Sequence, residues 1–212
     1  WKFDDYRINA ENGVLSTRAG AWPLLFLPLQ FPARDHPHWK DCNARALGHD
    51  FFYSLGNDPD RMLARARLGS LAAAVVLLAL IAAWAGGLFG RGAGGFALLI
   101  AAFSPTMLAQ AGLATSDMIL ACCLLGALTA WWFLWHKVTL LRLGLAAVTA
   151  GLAFTAKMSG ALLVPLLVLL LVVRCTRRTP LPVSLPGWKL RVRSRPAVAG
   201  ILLAVSAVAA AG

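Results

Sequence analysis

The sequence LGSLAAAVVLLALIAAWAGGLFG, residues 68–90, contains no charged side chain and exceeds the roughly 20 residues that a helix needs to cross a bilayer. Residues 1–67 before it are polar and predict an external juxtamembrane segment. The sequence therefore predicts an all-α, polytopic transmembrane helical protein, in which residues 68–212 form about six spans. We expect these spans near residues 68–90, 94–112, 117–135, 139–156, 158–174 and 197–212.

The composition of the 212-residue chain supports a membrane protein. Only 14% of the residues are charged and 59% are hydrophobic, whereas soluble domains carry about 25% charged residues. A disordered chain and an ordinary soluble domain are therefore excluded. The four cysteines show no paired spacing, so we expect neither disulfides nor CxxC metal chemistry.

The basic residues after position 67 are concentrated in alternate loops between the predicted spans. By the positive-inside rule these loops are cytoplasmic, and residues 1–67 lie on the opposite side. This distribution explains the net charge of +11 without nucleic acid. We expect an integral protein of the bacterial inner membrane, or of the endoplasmic reticulum in a eukaryote, with a noncytoplasmic active face. The loop residues are Arg91, Lys137, Arg142, Arg174, Arg177, Arg178, Lys189, Arg191, Arg193 and Arg195.

Asp117 and Lys157 are ionisable residues at predicted span boundaries on the external face, where Glu11 also lies. Asp117 is the only acidic residue after position 67. Charged groups at the bilayer are costly, so both residues are functional candidates. Two alternatives stay open: Asp117 as a helix-capping residue and Lys157 as a lysine that reaches the interface. An acid and a lysine at a membrane surface suit chemistry on a lipid-linked phosphate.

A weaker candidate is the pair His36 and His38 with Asp35, near Asp41 and Cys42. Their spacing would suit a metal ion. A solvated, proline-rich loop is the favoured interpretation, so the sequence leads us to expect no metal site.

Three tryptophans stand near the predicted cytoplasmic end of one span. Tryptophan is enriched at membrane interfaces. The sequence therefore predicts interfacial anchors at Trp131, Trp132 and Trp135.

Several segments resemble the polyprenyl-phosphate-sugar-dependent glycosyltransferases of the GT-C class. Residues 103–117, FSPTMLAQAGLATSD, and residues 151–159, GLAFTAKMS, carry the resemblance, together with the Leu-rich span that follows. Residues 5–12, DYRINAEN, resemble the external segment of the family, and residues 51–60, FFYSLGNDPD, its juxtamembrane stretch. Relatives in this class are the protein O-mannosyltransferases and the bacterial aminoarabinose transferases.

This resemblance implies a GT-C-like fold and transfer of a hexosyl or pentosyl group from a polyprenyl-phosphate donor to an external acceptor, with inversion. The implied partners are membrane lipid, the lipid-linked sugar and an acceptor that is a protein, a lipid or a glycan. The cofactor stays open, with a divalent metal as one option. Asp117 and Glu11 are assigned as the acidic residues of the catalytic site, for the sugar, the acceptor or a divalent ion. The assigned phosphate-binding residues are Lys157, Arg61, Arg65 and Arg67.

The resemblance also implies that the family's first span and its Asp-Glu pair precede Trp1, so we expect a fragment that is inactive on its own. The last predicted span is likewise expected to be truncated. The runner-up function is a membrane transporter or a noncatalytic lipid-binding membrane protein, in which Asp117 and Lys157 would form an ion pair or a coupling site.

Overall fold

The computed structural model of the chain describes residues 7–9, 12–176, 180–185, 188–192 and 194–211. Glu11 lies outside these residues. The chain divides into two compact units. Unit 1 comprises Trp1–Cys122 and Thr155–Met158, and unit 2 comprises Cys123–Phe154 and Ser159–Gly212.

The described part of the chain is mostly helical. Its α-helices are α1 (Val14–Ala21), α2 (Pro37–Lys40), α3 (Ala44–His49), α4 (Pro59–Phe89), α5 (Arg91–Ala102), α6 (Pro105–Ala111), α7 (Asp117–His136), α8 (Leu140–Ala156), α9 (Leu163–Thr176) and α10 (Arg195–Ala211). Short 3₁₀ helices cover Arg7–Asn9, Trp22–Phe26 and Met158–Leu162, and a π-helical turn covers Asp50–Ser54.

Three helices of the described residues are long and apolar enough to cross a membrane: Pro59–Phe89, Asp117–His136 and Met158–Thr176. A fourth span results if α5 and α6 are counted together, and two apolar helices in α8 and α10 are shorter. The predicted all-α, polytopic membrane fold is confirmed. The number of six spans stays a prediction.

Helix α4 begins nine residues before the first predicted span. The side chain of Asp58 accepts a hydrogen bond from the Arg61 backbone N–H at 3.1 Å, and Pro59 occupies the first helical position. Both features favour a helix start, because the cap satisfies a free N–H and proline has none to satisfy. The helix therefore continues through residues 67 and 68, where the sequence suggested the boundary between the external and membrane segments.

The predicted span at residues 94–112 is broken. Helices α5 and α6 form an angle of 63°, and Ser104 between them has an extended backbone conformation with φ −65° and ψ 124°. Pro105 explains the break, because proline lacks an N–H and its ring disfavours a helical conformation in the preceding residue.

The core of unit 2 includes two of the three tryptophans. Trp131 and Trp135 are 3% and 1% exposed. The Trp131 indole N–H donates to the Ala146 carbonyl at 3.1 Å, and that of Trp135 to the Ser206 hydroxyl at 3.2 Å. The prediction of interfacial anchors was wrong for these two residues, because both indole N–H groups have partners inside the protein and can therefore be buried.

Unit 2 also contains a small sheet in a region that the sequence suggested to be a charged loop. Strand β2 (Leu181–Leu185) pairs in parallel with β1 (Val138–Thr139) and antiparallel with β3 (Trp188–Val192). Leu181 is fully buried in the unit 2 core and Val138 is 2% exposed. The sheet is therefore anchored to the helices by apolar side chains.

Candidate functional site

A polar cavity of about 330 Å³ lies in unit 1. It is formed where the segment around Asn12 and α1, the side of α4, the start of α7 and the residues around Lys157 come together. The lining residues are Asn12, Ser16, Thr17, Gly20, Ala66, Ser70, Ala114, Thr115, Ser116, Asp117, Ile119 and Lys157.

Asp117 and Lys157 form an ion pair in the wall of this cavity. The Lys157 Nζ donates to Asp117 Oδ1 at 2.6 Å. The side chains are 28% exposed for Lys157 and 47% exposed for Asp117, so solvent screens the pair only in part. Asp117 also lies in the first turn of α7, where the helix dipole favours an acid. The position of Asp117 in the first turn of α7 and its ion pair with Lys157 are therefore compatible with each other.

The backbone around Lys157 is held by the N-terminal segment. Asn12 and Lys157 form an antiparallel bridge, and the Gly13 N–H donates to the Ala156 carbonyl at 3.2 Å. The same carbonyl accepts from the buried Ser16 hydroxyl at 2.6 Å. These contacts fix the backbone of Lys157 immediately after the end of α8.

Gly13 permits this close approach. A Cβ at this position would collide with the backbone carbonyl of Thr155 and contact that of Ala156. The neighbouring backbones are therefore too close for any other residue. Glycine is needed at this position because of the close packing. Its φ of −65° is accessible to any residue.

A second set of hydrogen bonds fixes the start of α7. The Ser116 hydroxyl donates to Asn12 Oδ1 at 2.5 Å, and the Ser70 hydroxyl of α4 donates to the Thr115 carbonyl at 3.1 Å. Asn12 therefore contacts both the Lys157 segment and the residue that precedes Asp117. Asp117 is the one carboxylate among the residues that line the cavity, and it already accepts from Lys157. These lining residues therefore lack the set of carboxylates with which proteins usually hold a divalent cation.

The other predicted site residues are placed differently. Arg61, Arg65 and Arg67 are exposed on the first turns of α4, whereas α4 contributes Ala66 and Ser70 to the cavity wall. Glu11, the second predicted acid, is outside the described residues. Of the six residues predicted from sequence, the structure thus brings Asp117 and Lys157 together.

Asn12, Ser16 and Ser70 line the cavity but were not among the predicted site residues. Ser70 carried a usable signal, because it is the only hydroxyl in the apolar stretch 68–90. Asn12 and Ser16 are ordinary polar residues in a polar segment. Their role depends on contacts with residues 104 and 140 positions away in the sequence.

The family model for the dolichyl-phosphate-mannose-protein mannosyltransferases matches residues 50–187, more than half of the chain. The matched range contains Asp117, Lys157 and the three arginines of α4. No curated protein and no solved structure gives a significant match. With its apolar helices, this match identifies an integral membrane protein of the glycosyltransferase type. The chain belongs to the dolichyl-phosphate-mannose-protein mannosyltransferase family.

Proposed function

We propose that this chain carries part of the active site of a membrane enzyme that transfers a sugar from a polyprenyl-phosphate carrier to an acceptor on the noncytoplasmic side. The observation that carries the proposal is the contact between Lys157 and Asp117, 2.6 Å apart, in the wall of a polar cavity. A cation for the phosphate and a carboxylate for the acceptor are the two charges that such a transfer needs.

Lys157 is the proposed phosphate-binding residue. Its ammonium group has three N–H groups, and Asp117 accepts from the Nζ through Oδ1. The remaining N–H groups can donate to the phosphate of the carrier in a charge-assisted hydrogen bond. Its side chain is only 28% exposed, so the attraction is stronger than it would be in bulk water.

Asp117 is the proposed acceptor of the proton. The acceptor hydroxyl forms a bond to the anomeric carbon, and the bond from this carbon to the carrier phosphate oxygen breaks. Its electron pair leaves with the phosphate, beside Lys157. Because the attacking hydroxyl lies on the opposite face of the sugar, Asp117 must separate from Lys157 when the donor binds before it can take the hydroxyl proton. Attack opposite the leaving phosphate inverts the anomeric configuration.

The arginines of α4 and Glu11 have secondary roles in this proposal. Arg61, Arg65 and Arg67 are exposed on the first turns of α4 and do not line the cavity. Positive charges there attract the anionic headgroup of a donor through long-range electrostatics. Glu11 stays a predicted second acid for the sugar, the acceptor or a divalent ion.

The test is transfer of labelled sugar from polyprenyl-phosphate donors by the full-length protein in membranes, at matched protein amounts. We expect Lys157→Ala and Asp117→Asn each to reduce transfer by on the order of 10²-fold or more, because each removes a charge that acts in the transition state. Lys137→Ala and Asp35→Asn are the matched controls, since both side chains are exposed and outside the cavity. Wild-type transfer by Lys157→Ala contradicts the role of Lys157.

The runner-up function also includes an ion pair between Asp117 and Lys157, so a charge exchange is needed to separate the two. A purely structural or coupling pair tolerates the exchange Asp117→Lys with Lys157→Asp better than either single change. For the enzyme we expect the exchanged variant to insert and fold but to transfer no sugar. A well-folded wild-type protein that is inactive with several donors favours the noncatalytic function.

A further inference from the structure

A segment without charged side chains precedes helix α4 in unit 1. Residues 19–33, AGAWPLLFLPLQFPA, lie between Arg18 and Arg34. The segment is shorter than the roughly 20 residues that a transmembrane helix needs. Its three prolines, at positions 23, 28 and 32, also prevent a continuous helix. It is therefore not a membrane span, and the proposed sugar transfer gives its aromatic residues no role.

The 3₁₀ helix Trp22–Phe26 in this segment presents large apolar side chains at the surface. Trp22, Leu25 and Phe26, called the apolar patch below, are 48%, 59% and 72% exposed. Pro23 of the same turn is buried, so the turn is fixed with one side inward. The Trp22 and Phe26 rings meet edge to face with centroids 6.1 Å apart. The two rings therefore form one surface.

We propose that the apolar patch inserts into the headgroup interface of the bilayer, in the leaflet where α4 enters the membrane. The partner is thus the lipid surface itself. This inference rests on the position of the patch along α4 and on its residue types, and it does not depend on sugar transfer.

The length of α4 defines the level of this interface. No charged side chain occurs in the helix after Arg67. From Gly69 to Phe89 the helix rises about 30 Å at about 1.5 Å per residue, which equals the thickness of the hydrocarbon core. Gly69 therefore lies at the boundary between hydrocarbon and headgroups.

The end of α1 contacts α4 at this level. A Cβ on Gly69 would collide with the Ala19 carbonyl and would lie 3.3 Å from the Gly20 nitrogen, so the two backbones touch. Trp22 follows two positions after Gly20, and the 3₁₀ helix that it begins also packs on α4. The apolar patch therefore lies near the level at which α4 enters the hydrocarbon core.

The other end of the segment is held farther from the membrane. The Asn57 side chain accepts from the Gln30 N–H and donates to the Gln30 carbonyl, both at 2.9 Å. Asn57 precedes α4, which rises about 15 Å from Pro59 to Gly69. The headgroup layer on one side of a bilayer is only about 5–8 Å thick. The chain has therefore left the membrane surface at Gln30.

The residue types and the backbone fit a shallow insertion. Tryptophan is enriched at membrane interfaces, and burial of the exposed leucine and phenylalanine side chains in lipid is favourable. The backbone is not helical between Phe26 and Pro37. Such a backbone does not occur in contact with lipid in the hydrocarbon core. The patch is therefore expected at the interface and not deeper in the bilayer.

The surface of α4 at this level is also suited to lipid. Leu68 and Leu71 are 42% and 50% exposed, in a helix that is long and apolar enough to cross a membrane. Arg65 and Arg67 are exposed within about 6 Å of Gly69 along the helix. At this distance they lie in the headgroup layer, where basic side chains attract anionic lipids. Lipid is therefore the partner available at the level of the patch.

The test measures the depth of the patch in the full-length protein, reconstituted into vesicles of phosphatidylcholine and phosphatidylglycerol. In a protein whose native cysteines are replaced by serine, Phe26→Cys and, separately, Leu25→Cys are labelled with an environment-sensitive fluorophore. Quenching is measured with iodide on both sides of the membrane, and with lipids that carry a nitroxide near the headgroup or near the chain end. Tyr53→Cys is the matched control, because Tyr53 is 66% exposed in the turn that precedes α4.

We expect labels at positions 25 and 26 to show blue-shifted emission and little quenching by iodide. The shallow nitroxide should quench them more than the deep one, since interfacial segments insert only about 5–10 Å. The label at position 53 should be quenched by iodide and by neither lipid.

Two outcomes overturn the proposal. Equal iodide quenching at positions 25, 26 and 53 would show that the patch faces water. Protection of positions 25 and 26 from both iodide and the nitroxide lipids would show that a protein chain, such as a second copy, covers the patch. Asp117→Asn should leave the quenching pattern unchanged, so failure of the transfer proposal is distinguishable from failure of this one.

Discussion

Gly13 controls the distance between the Asn12 segment and the backbone beside Lys157. We predict that Gly13→Ala separates these segments, because the new methyl group would collide with the Thr155 carbonyl. Displacement of a reacting group by about 1 Å costs on the order of 10²-fold in rate. Sugar transfer should fall by that order while the protein still inserts into the membrane.

The matched control for this change is Gly48→Ala. Gly48 lies in the same N-terminal third, and nothing stands within 4 Å of a Cβ at this position. We expect normal transfer in this variant. Equal activity of the two alanine variants would show that the contact of Gly13 does not position Lys157.

Two charged residues of the cavity wall could be proposed from the sequence, whereas the polar residues around them could not. Asp117 and Lys157 are rare charges in an apolar region. Because placing a charge there costs free energy, both residues could be identified as candidates from the sequence. Their ion pair was expected only for the transporter or noncatalytic alternative, because a direct contact depends on the folding of residues 40 positions apart. Asn12 carried even less information, since a polar residue in a polar segment has no such cost.

Helix α1 packs on α4 at another glycine, Gly69. A Cβ there would collide with the Ala19 carbonyl. We predict that Gly69→Ala moves α1 away from α4 and lowers the melting temperature, with a cost of about 1–3 kcal/mol for overpacking. Transfer should also decrease, because Ser16 and Thr17 of α1 line the cavity.

Gly87→Ala tests whether the effect is local. Gly87 is in the same helix and a Cβ there meets nothing within 4 Å. Alanine stabilises a helix by about 0.5–1 kcal/mol relative to glycine, so this variant should melt at the same temperature as the wild type or a higher one. If Gly69→Ala behaves like Gly87→Ala, the contact between α1 and α4 is not tight.

At the scale of helices and strands, hydropathy predicted where the helices lie but not how they are interrupted. Pro105 itself predicts the break in this span. Hydropathy averaged over residues 94–112 does not show it. The antiparallel pairing of β2 and β3 was not predicted, although the sequence between them contains Pro186-Gly187, a dipeptide typical of turns. Positive charge around this dipeptide indicated a loop, and the charge pattern contains no information on strand pairing.

At the scale of the whole molecule, the distribution of basic residues predicts the orientation in the membrane. We predict that Cys42 is accessible from the noncytoplasmic side and Cys175 from the cytoplasmic side. An impermeant maleimide should therefore label Cys42 in right-side-out vesicles and Cys175 in inverted ones. Variants that retain one of the two cysteines, with Cys122 and Cys123 replaced by serine, allow the comparison.

Detergent-solubilised protein is the control, since both cysteines should react there. The labelling pattern opposite to this expectation would place Asp117 and Lys157 on the cytoplasmic side. It would also contradict the proposed external acceptor. The contact between Asp117 and Lys157 does not depend on the orientation in the membrane, so the labelling pattern does not test it.

The bridge between Asn12 and Lys157 has a consequence for biogenesis. The segment that holds the lysine leaves the ribosome early, and the lysine itself follows only after α4 to α8 have been made. During translation, Asn12 and Ser16 are therefore synthesised before the residues that they contact in the folded chain. These later residues are Ser116, Ala156 and Lys157. The cavity is completed late in membrane insertion, because a nascent chain that ends after α7 contains Asp117 without the lysine that pairs with it in the folded protein.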